Sequence, residues 1–171
     1  METLRGGILS YAYDFIGQEE KKGNMGFKDA DFEDKMDSVG FQDGYAWCCL
    51  FTELCWVLAY KDFNKSTEII DEEFSAGTVR TFRHFKSLGW TSKTPEPGDV
   101  VIWQTYRDGK AKTTGHAAIV AEVLDNGYIK TIEGNTNARG GREGYTVAEK
   151  KRKIDFKKNH GLRMLGFIKP N

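Results

Sequence analysis

Tyr45-Ala46-Trp47-Cys48-Cys49-Leu50-Phe51 opens an apolar run that continues through Leu54, Cys55, Leu58 and Ala59. Apolar side chains fill most of the circumference from Trp47 to Tyr60, which predicts a helix buried on nearly all sides. A thiol in the first turn of such a helix meets unpaired backbone N–H groups and the positive end of the helix dipole. Both favour the thiolate, and the same N–H groups can hold an oxyanion. Neighbours on a helix point about 100° apart, so one of Cys48 and Cys49 can face a cleft while the other packs inward. Cys48 is nearer the helix end and is the better nucleophile candidate. A free cysteine is ordinarily a small buried hydrophobe, and Cys55, two turns in, fits that description.

The partners a cysteine nucleophile needs come much later. Gly115-His116-Ala117-Ala118-Ile119-Val120 and Ile132-Glu133-Gly134-Asn135-Thr136-Asn137 flank Asp125-Asn126-Gly127, a strong hairpin signal. A two-residue turn at Asn126 and Gly127 sets Val120 opposite Glu133, Ala118 opposite Asn135 and His116 opposite Asn137. Alternation then places His116, Ala118, Val120, Glu133 and Asn135 on one face. One extra residue in the turn would send Glu133 to the other face. Glycine and asparagine weaken strands, so Glu133-Gly134-Asn135 breaks a local rule in the way functional sites do. Thiol, imidazole and a polar residue to orient the imidazole are the parts of acyl-transfer chemistry. The other histidines read as structural: His84 sits on a helix among Phe82, Arg83 and Phe85, and His160 beside a glycine in a basic tail.

Outward from these segments the chain divides into helices first and strands afterwards. A helix is expected from Thr3 to Gly17, with Leu4, Ile8, Tyr11, Ala12 and Phe15 at helical spacing. Residues 18–44 form a long polar connection, with a short amphipathic piece around Phe32, Met36 and Val39. Helical segments follow over Ser66 to Phe74 and Thr78 to Leu88, the second with Thr78 as N-cap and Gly89 as stop. After Pro95 and Pro97 the period changes to strand: Val100 to Trp103, His116 to Leu124, Tyr128 to Glu133, Tyr145 to Ile154 and Leu165 to Ile168. The expected fold class is α+β, with N-terminal helices packed on an antiparallel sheet of about five to six strands. Residues 1–171 read as one domain, without repeats or linkers.

Bulk properties narrow the function. Lys plus Arg and Asp plus Glu each number 25, so the formal charge is zero and nothing favours nucleic acid. Lys150-Lys151-Arg152-Lys153 with Lys157-Lys158 reads as a solvated edge strand whose lysines deter pairing, although an anionic polymer would also be drawn there. Three closely spaced cysteines make neither a disulfide framework nor a metal site, and no cofactor is implied. No run of about eighteen apolar residues predicts membrane insertion. Glu2 stands where a signal peptide carries basic residues, so synthesis is expected in the cytoplasm.

The ordered set Gly44 to Phe51, Pro97-Gly98-Asp99-Val100-Val101, Gly115 to Val120, Glu133 to Asn137 and Leu165 to Pro170 resembles the CHAP domain, the cysteine, histidine-dependent amidohydrolase/peptidase of the NlpC-type papain-like superfamily. The resemblance implies a papain-like fold and hydrolysis of an amide in bacterial peptidoglycan. The bond would be either N-acetylmuramoyl-L-alanine or one within the stem or cross-bridge peptide. It maps Cys48 onto the nucleophile, His116 onto the base and later acid, and Glu133 and Asn135 onto the groups that hold the imidazole. Tyr45, Gln42 and Cys49 are candidates for oxyanion support, the Gln42 spacing being similar to papain's. Cys49 stands where alanine is usual in the family and Ala46 where proline is common.

These features fit a phage lysin, a tail enzyme or an injected antibacterial effector. The effector would require an immunity protein in its producer. Action at the cell wall after release or delivery by another system is expected. Two other readings compete: a papain-like hydrolase of a non-wall amide, and an inactive binding module on the same fold.

Overall fold

The computed structural model describes residues 3–137 and 144–171, so Glu2 lies outside the described residues. Five helices precede and flank a six-stranded sheet, antiparallel throughout, as the α+β expectation had it. The helices are α1 (Leu4–Asp14), α2 (Ala30–Asp37), α3 (Cys48–Asp62), α4 (Glu68–Glu73) and α5 (Thr78–Ser87). The strands are β1 (Thr91–Ser92), β2 (Val100–Arg107), β3 (Lys110–Leu124), β4 (Tyr128–Thr136), β5 (Thr146–Lys153) and β6 (Gly161–Ile168), ordered β1-β6-β2-β3-β4-β5.

Helix α3 is the centre of the fold, because its apolar residues wrap the full circumference. Leu54, Cys55, Trp56 and Ala59 have no exposed surface, and α3 packs against α1, β3 and β4. Burial of this many large side chains, at about 1.5–3 kcal/mol each, is what fixes the helix against the sheet. The sheet face toward α3 carries Val100, Ile102, Ala117, Ile119, Ile132 and Ile168. The opposite face carries Val101, Trp103, Ala118, Val120, Ile129, Met164 and Phe167, with Ile154, Phe156 and Leu162 packed over it.

The connection before α3 is anchored from within. Phe15, Phe27, Phe32, Phe41, Trp47 and Phe51 form a chain of tilted and edge-on ring contacts that seats the connection on the first turn of α3. Glu19 bridges to Thr146, tying the same connection to β5.

Three details differ from expectation. Gly77, not Thr78, caps α5, and Thr78 is a buried first-turn residue. The strands β2 and β3 form a hairpin closed by Asp108 and Gly109, both in the left-handed region (φ 52° and 72°), so β3 begins before His116. The β3–β4 turn has three residues, Asp125 to Gly127, since Leu124 pairs with Tyr128.

That extra residue should have turned Glu133 away from His116. A second offset cancels it: the register slips again at Ala121, between Val120↔Thr131 and Glu122↔Lys130. Two one-residue shifts make two, which restores the face. Val120 therefore faces Thr131 rather than Glu133, while Glu133 stays on the His116 side.

Candidate active site

The N-terminus of α3 meets the sheet where β3 and β4 begin to splay. A cleft of about 430 Å³ there is lined by Glu20, Asn24, Ala46, Cys48, His116 and Asn135, among others. Trp47 is the N-cap of α3 and offers no side-chain cap, so the first-turn N–H groups are left to other acceptors.

Cys48 lies at this helix head with 5% of its surface exposed. Burial pushes its thiol up, but the His116 ring, which faces it as a charge and a hydrogen-bond partner, pulls it down. The backbone N–H groups of Ala117 and Cys49 add to that pull, and the net direction is below the ordinary thiol. His116 moves the opposite way: burial disfavours its cation, while Cys48 and Glu133 together hold it protonated above the ordinary imidazole value of 6.5. The two shifts are complementary: each group favours the charged form of the other.

Glu133 is the side-chain partner of the imidazole. His116 Nε2 lies 2.9 Å from Glu133 Oε2, which leaves Nδ1 as the nitrogen for the thiol. The carboxylate is fully buried. Burial raises its pKa, yet Arg152 and His116 hold it well below the usual carboxylate range. Arg152 donates from Nε to Oε1 at 2.7 Å and from Nη2 to Oε2 at 2.6 Å. Thr131 Oγ1 donates to Oε1 at 2.6 Å. A buried carboxylate needs this many donors, because an unsatisfied one would protonate instead.

Asn135 does not share the imidazole with Glu133. Its amide, oriented to satisfy both neighbours, accepts from Trp47 N–H at 3.2 Å and donates to the Gly144 carbonyl at 2.9 Å. It adopts φ 51°, a left-handed conformation that asparagine tolerates. Gly134 is required for close approach: a Cβ there would lie 2.6 Å from the Trp47 ring and 2.7 Å from Phe51 Cβ. The rule-breaking Glu133-Gly134-Asn135 string therefore supplies a carboxylate, a gap for α3 and a tie to the helix entry.

The remaining candidates separate. Cys49 is buried and points inward, its Sγ donating to Thr81 Oγ1 at 3.6 Å. Burial pushes its thiol far up, and Cys55 behaves alike. Of Cys49, it is the backbone N–H rather than the side chain that acts on the Cys48 sulfur. Gln42 and Tyr45 lie in an exposed turn, joined by the Tyr45 N–H to Gln42 carbonyl bond, and neither lines the cleft.

Sequence reasoning missed Arg152, Trp103 and Glu20. Trp103 pairs with His116 across β2–β3 and stacks on its ring at 5.8 Å and 28°. Its ring also faces the Arg152 guanidinium at 5.8 Å. Glu20 accepts from Trp47 Nε1 at 2.5 Å and fixes the residue before the thiol. Among the described residues no group of three or more His, Cys, Asp or Glu could hold a metal ion.

A family model for the CHAP domain matches residues 40–135, more than half of the chain. The chain belongs to the CHAP domain family. No solved structure matches it. Family membership makes the chain an amidase- or peptidase-type hydrolase, for which peptidoglycan fits as substrate. The CHAP match spans Cys48, His116, Glu133 and Asn135, whereas Arg152 and Glu20 come from outside it.

Proposed function

We propose that this CHAP domain hydrolyses an amide of bacterial peptidoglycan through an acyl-enzyme on Cys48. The observation that carries the reading is the buried line from the Cys48 thiol through His116 to Glu133 at the open end of α3.

The Cys48 thiolate attacks the carbonyl carbon, and the electron pair moves to oxygen. The backbone N–H groups at the head of α3, those of Cys48 and Cys49, receive that oxyanion. The imidazolium of His116 gives its Nδ1 proton to the leaving amine as the C–N bond breaks. Water then attacks the thioester, His116 takes its proton, and the Cys48 thiolate is released with the acid product. Glu133 keeps the ring turned so that Nδ1 faces the sulfur. Asn135 holds the Trp47 N–H, and through it the helix entry, rather than the ring.

The bond cleaved is N-acetylmuramoyl-L-alanine or a peptide bond of the stem or cross-bridge. On this reading the whole chain works as one catalytic unit at the cell wall after release or delivery, as a lysin, tail enzyme or injected effector with a matching immunity protein.

The test is digestion of purified sacculi by wild type, Cys48→Ala and Cys49→Ala, with fragments read by mass spectrometry. Wild type and Cys49→Ala should release fragments whose new termini name the bond, and Cys48→Ala should lose at least about 10⁴-fold in rate. Equal cleavage by Cys48→Ala would remove Cys48 from the mechanism. Release from no wall type, with the thiol still reactive, would move the substrate elsewhere.

A further inference from the structure

A second cavity of about 430 Å³ lies between α5 and the β2–β3 hairpin, apart from the cleft that holds Cys48. Val79, Arg80, Arg83 and His84 form its helix wall, and Gln104 and Lys112 stand on its strand wall. Residues three and four apart share a helix face, and here Phe82 and Phe85 turn the opposite way, into the core. The cationic face of α5 is thus presented to the hairpin by the packing of its aromatic face.

Arg80, Arg83 and Lys112 converge on this concavity, and among the described residues none has a carboxylate within ion-pair distance. Some cations elsewhere are ion-paired, such as Arg5 with Asp99 and Lys21 with Glu33, and others are not; what sets Arg80, Arg83 and Lys112 apart is that all three line one hollow. In the cavity wall only His84 has an acidic neighbour, Glu73 Oε2 at 3.1 Å from its Nδ1. Three like charges facing one hollow repel each other, and an anion shared among them reverses the sign.

The cavity adjoins the chemistry. Gln104 pairs with Gly115 in the β2–β3 ladder, and Gly115 lines the cleft beside His116. Thr78, next to Val79, closes over the same glycine, where an added Cβ would lie 2.7 Å from its Oγ1. The cavity wall at Gln104 and the cleft wall at Gly115 are thus one ladder pair apart, so neighbouring groups of one peptide can reach both.

We infer that this cavity is an anion subsite of the catalytic cleft and takes a carboxylate of the peptide substrate close to the scissile amide. The inference rests on the peptidoglycan reading and sharpens it: the preferred wall peptide keeps that carboxylate free rather than amidated. A guanidinium fork matches a carboxylate in shape and charge. A bounded hollow with an apolar Val79 wall suits a single side chain or peptide terminus, whereas a long polyanion is met by an extended stripe of cations.

Binding to the full chain carrying Cys48→Ala tests this without turnover. Calorimetry uses three probes: a soluble muramoyl peptide with free stem carboxylates, the same peptide with those groups amidated, and soluble polyglycerol phosphate. The free-carboxylate peptide should bind at least about tenfold more tightly than the amidated one. Adding Arg80→Gln and Arg83→Gln should abolish that preference and leave the amidated peptide's affinity unchanged. Equal affinity for the two peptides, or a preference that survives both substitutions, overturns the subsite. Arginine-dependent binding in which polyglycerol phosphate outcompetes the peptide overturns the carboxylate assignment.

Sacculus digestion keeps this inference apart from the one beneath it. Cleavage by a Cys48-intact chain without any carboxylate preference leaves the wall function standing and removes the subsite. Carboxylate preference without cleavage of any wall does the reverse.

Discussion

Arg152 forks onto Glu133, with one bond to each carboxylate oxygen, so the group that orients His116 is pinned from the neighbouring strand. The fork lets a fully buried carboxylate stay ionised while it also accepts from imidazole. On the proposed mechanism Arg152 is a positioning residue, since it reaches the ring only through Glu133 and through Trp103, which lies against both.

Removing the fork should therefore cost rate as well as stability. Arg152→Met is expected to lower kcat on wall substrate by about 10–100-fold. It should cost about 1–3 kcal/mol of stability, less than the roughly 3–5 of a wholly buried pair, because Thr131 and His116 still serve the carboxylate. Arg152→Lys keeps the charge but not the fork and should fall between the two. Thermal melts alongside steady-state kinetics check this, and a lowered melting point with kcat and its pH profile unchanged would reduce Arg152 to a structural role.

The Cys48–His116 pair has a pH signature. The thiol lies below its ordinary 9.0 and the imidazole above its ordinary 6.5, in large part because of each other's charge, with Glu133 adding to the second. Alkylation of Cys48 by a neutral reagent should rise with pH at values below 9.0, as the thiol loses its proton. Amide hydrolysis should fall again only above 6.5, once the imidazolium loses the proton it must donate. In His116→Ala only the Ala117 and Cys49 backbone N–H groups still oppose the burial of Cys48, and the alkylation midpoint should move up toward or beyond 9.0. A midpoint that does not move would deny the coupling.

Folded-state stability should carry the same charges with opposite slopes. The lowered Glu133 contributes stability above its unfolded value of 4.5 that is lost as pH falls through its folded value. The raised His116 contributes stability below 6.5 that is lost as pH rises through its folded value. Melting temperature against pH should therefore fall off on both sides, and Glu133→Gln should flatten the acid side. An acid side as steep in Glu133→Gln as in wild type would show that other carboxylates dominate it.

Much of this site was legible in the residues, for physical reasons that differ piece by piece. The head of α3 showed itself because an all-round apolar helix with cysteines in its first turn is a local pattern. The shared face of His116 and Glu133 was reached from a turn one residue too short, and it held because the slip at Ala121 cancels the error. Nothing local marks such a slip. Arg152 was hidden among lysines that read as a solvated edge, since its partner depends on how β5 registers on β4, where Glu133 pairs with Ala148. The β2–β3 hairpin, by contrast, carries a local signal: Asp108-Gly109 is the dipeptide that favours a left-handed two-residue turn. Distance along the chain, which alone points to Gln42 and Tyr45, says nothing about which way an exposed turn faces.

Gly134 offers the sharpest test of how the fold places the Cys48 thiol. An alanine methyl would sit 2.6 Å from the Trp47 ring and 2.7 Å from Phe51 Cβ, contacts that side chains essentially never make. Both neighbours are fully buried, Trp47 is the N-cap of α3 and Phe51 lies one turn on, so neither can swing into solvent. The helix must back away from β4, and the Cys48 sulfur moves with it. Gly134→Ala should destabilise by about 1–3 kcal/mol, the cost of overpacking a core. It should lower kcat further than the melting point accounts for, since a displacement of about 1 Å between reacting groups costs on the order of 100-fold. The check is kcat measured well below the variant's melting temperature, together with the alkylation midpoint of Cys48. A variant that is destabilised yet has wild-type kcat and an unmoved midpoint would show that the helix absorbs the methyl without shifting its first turn.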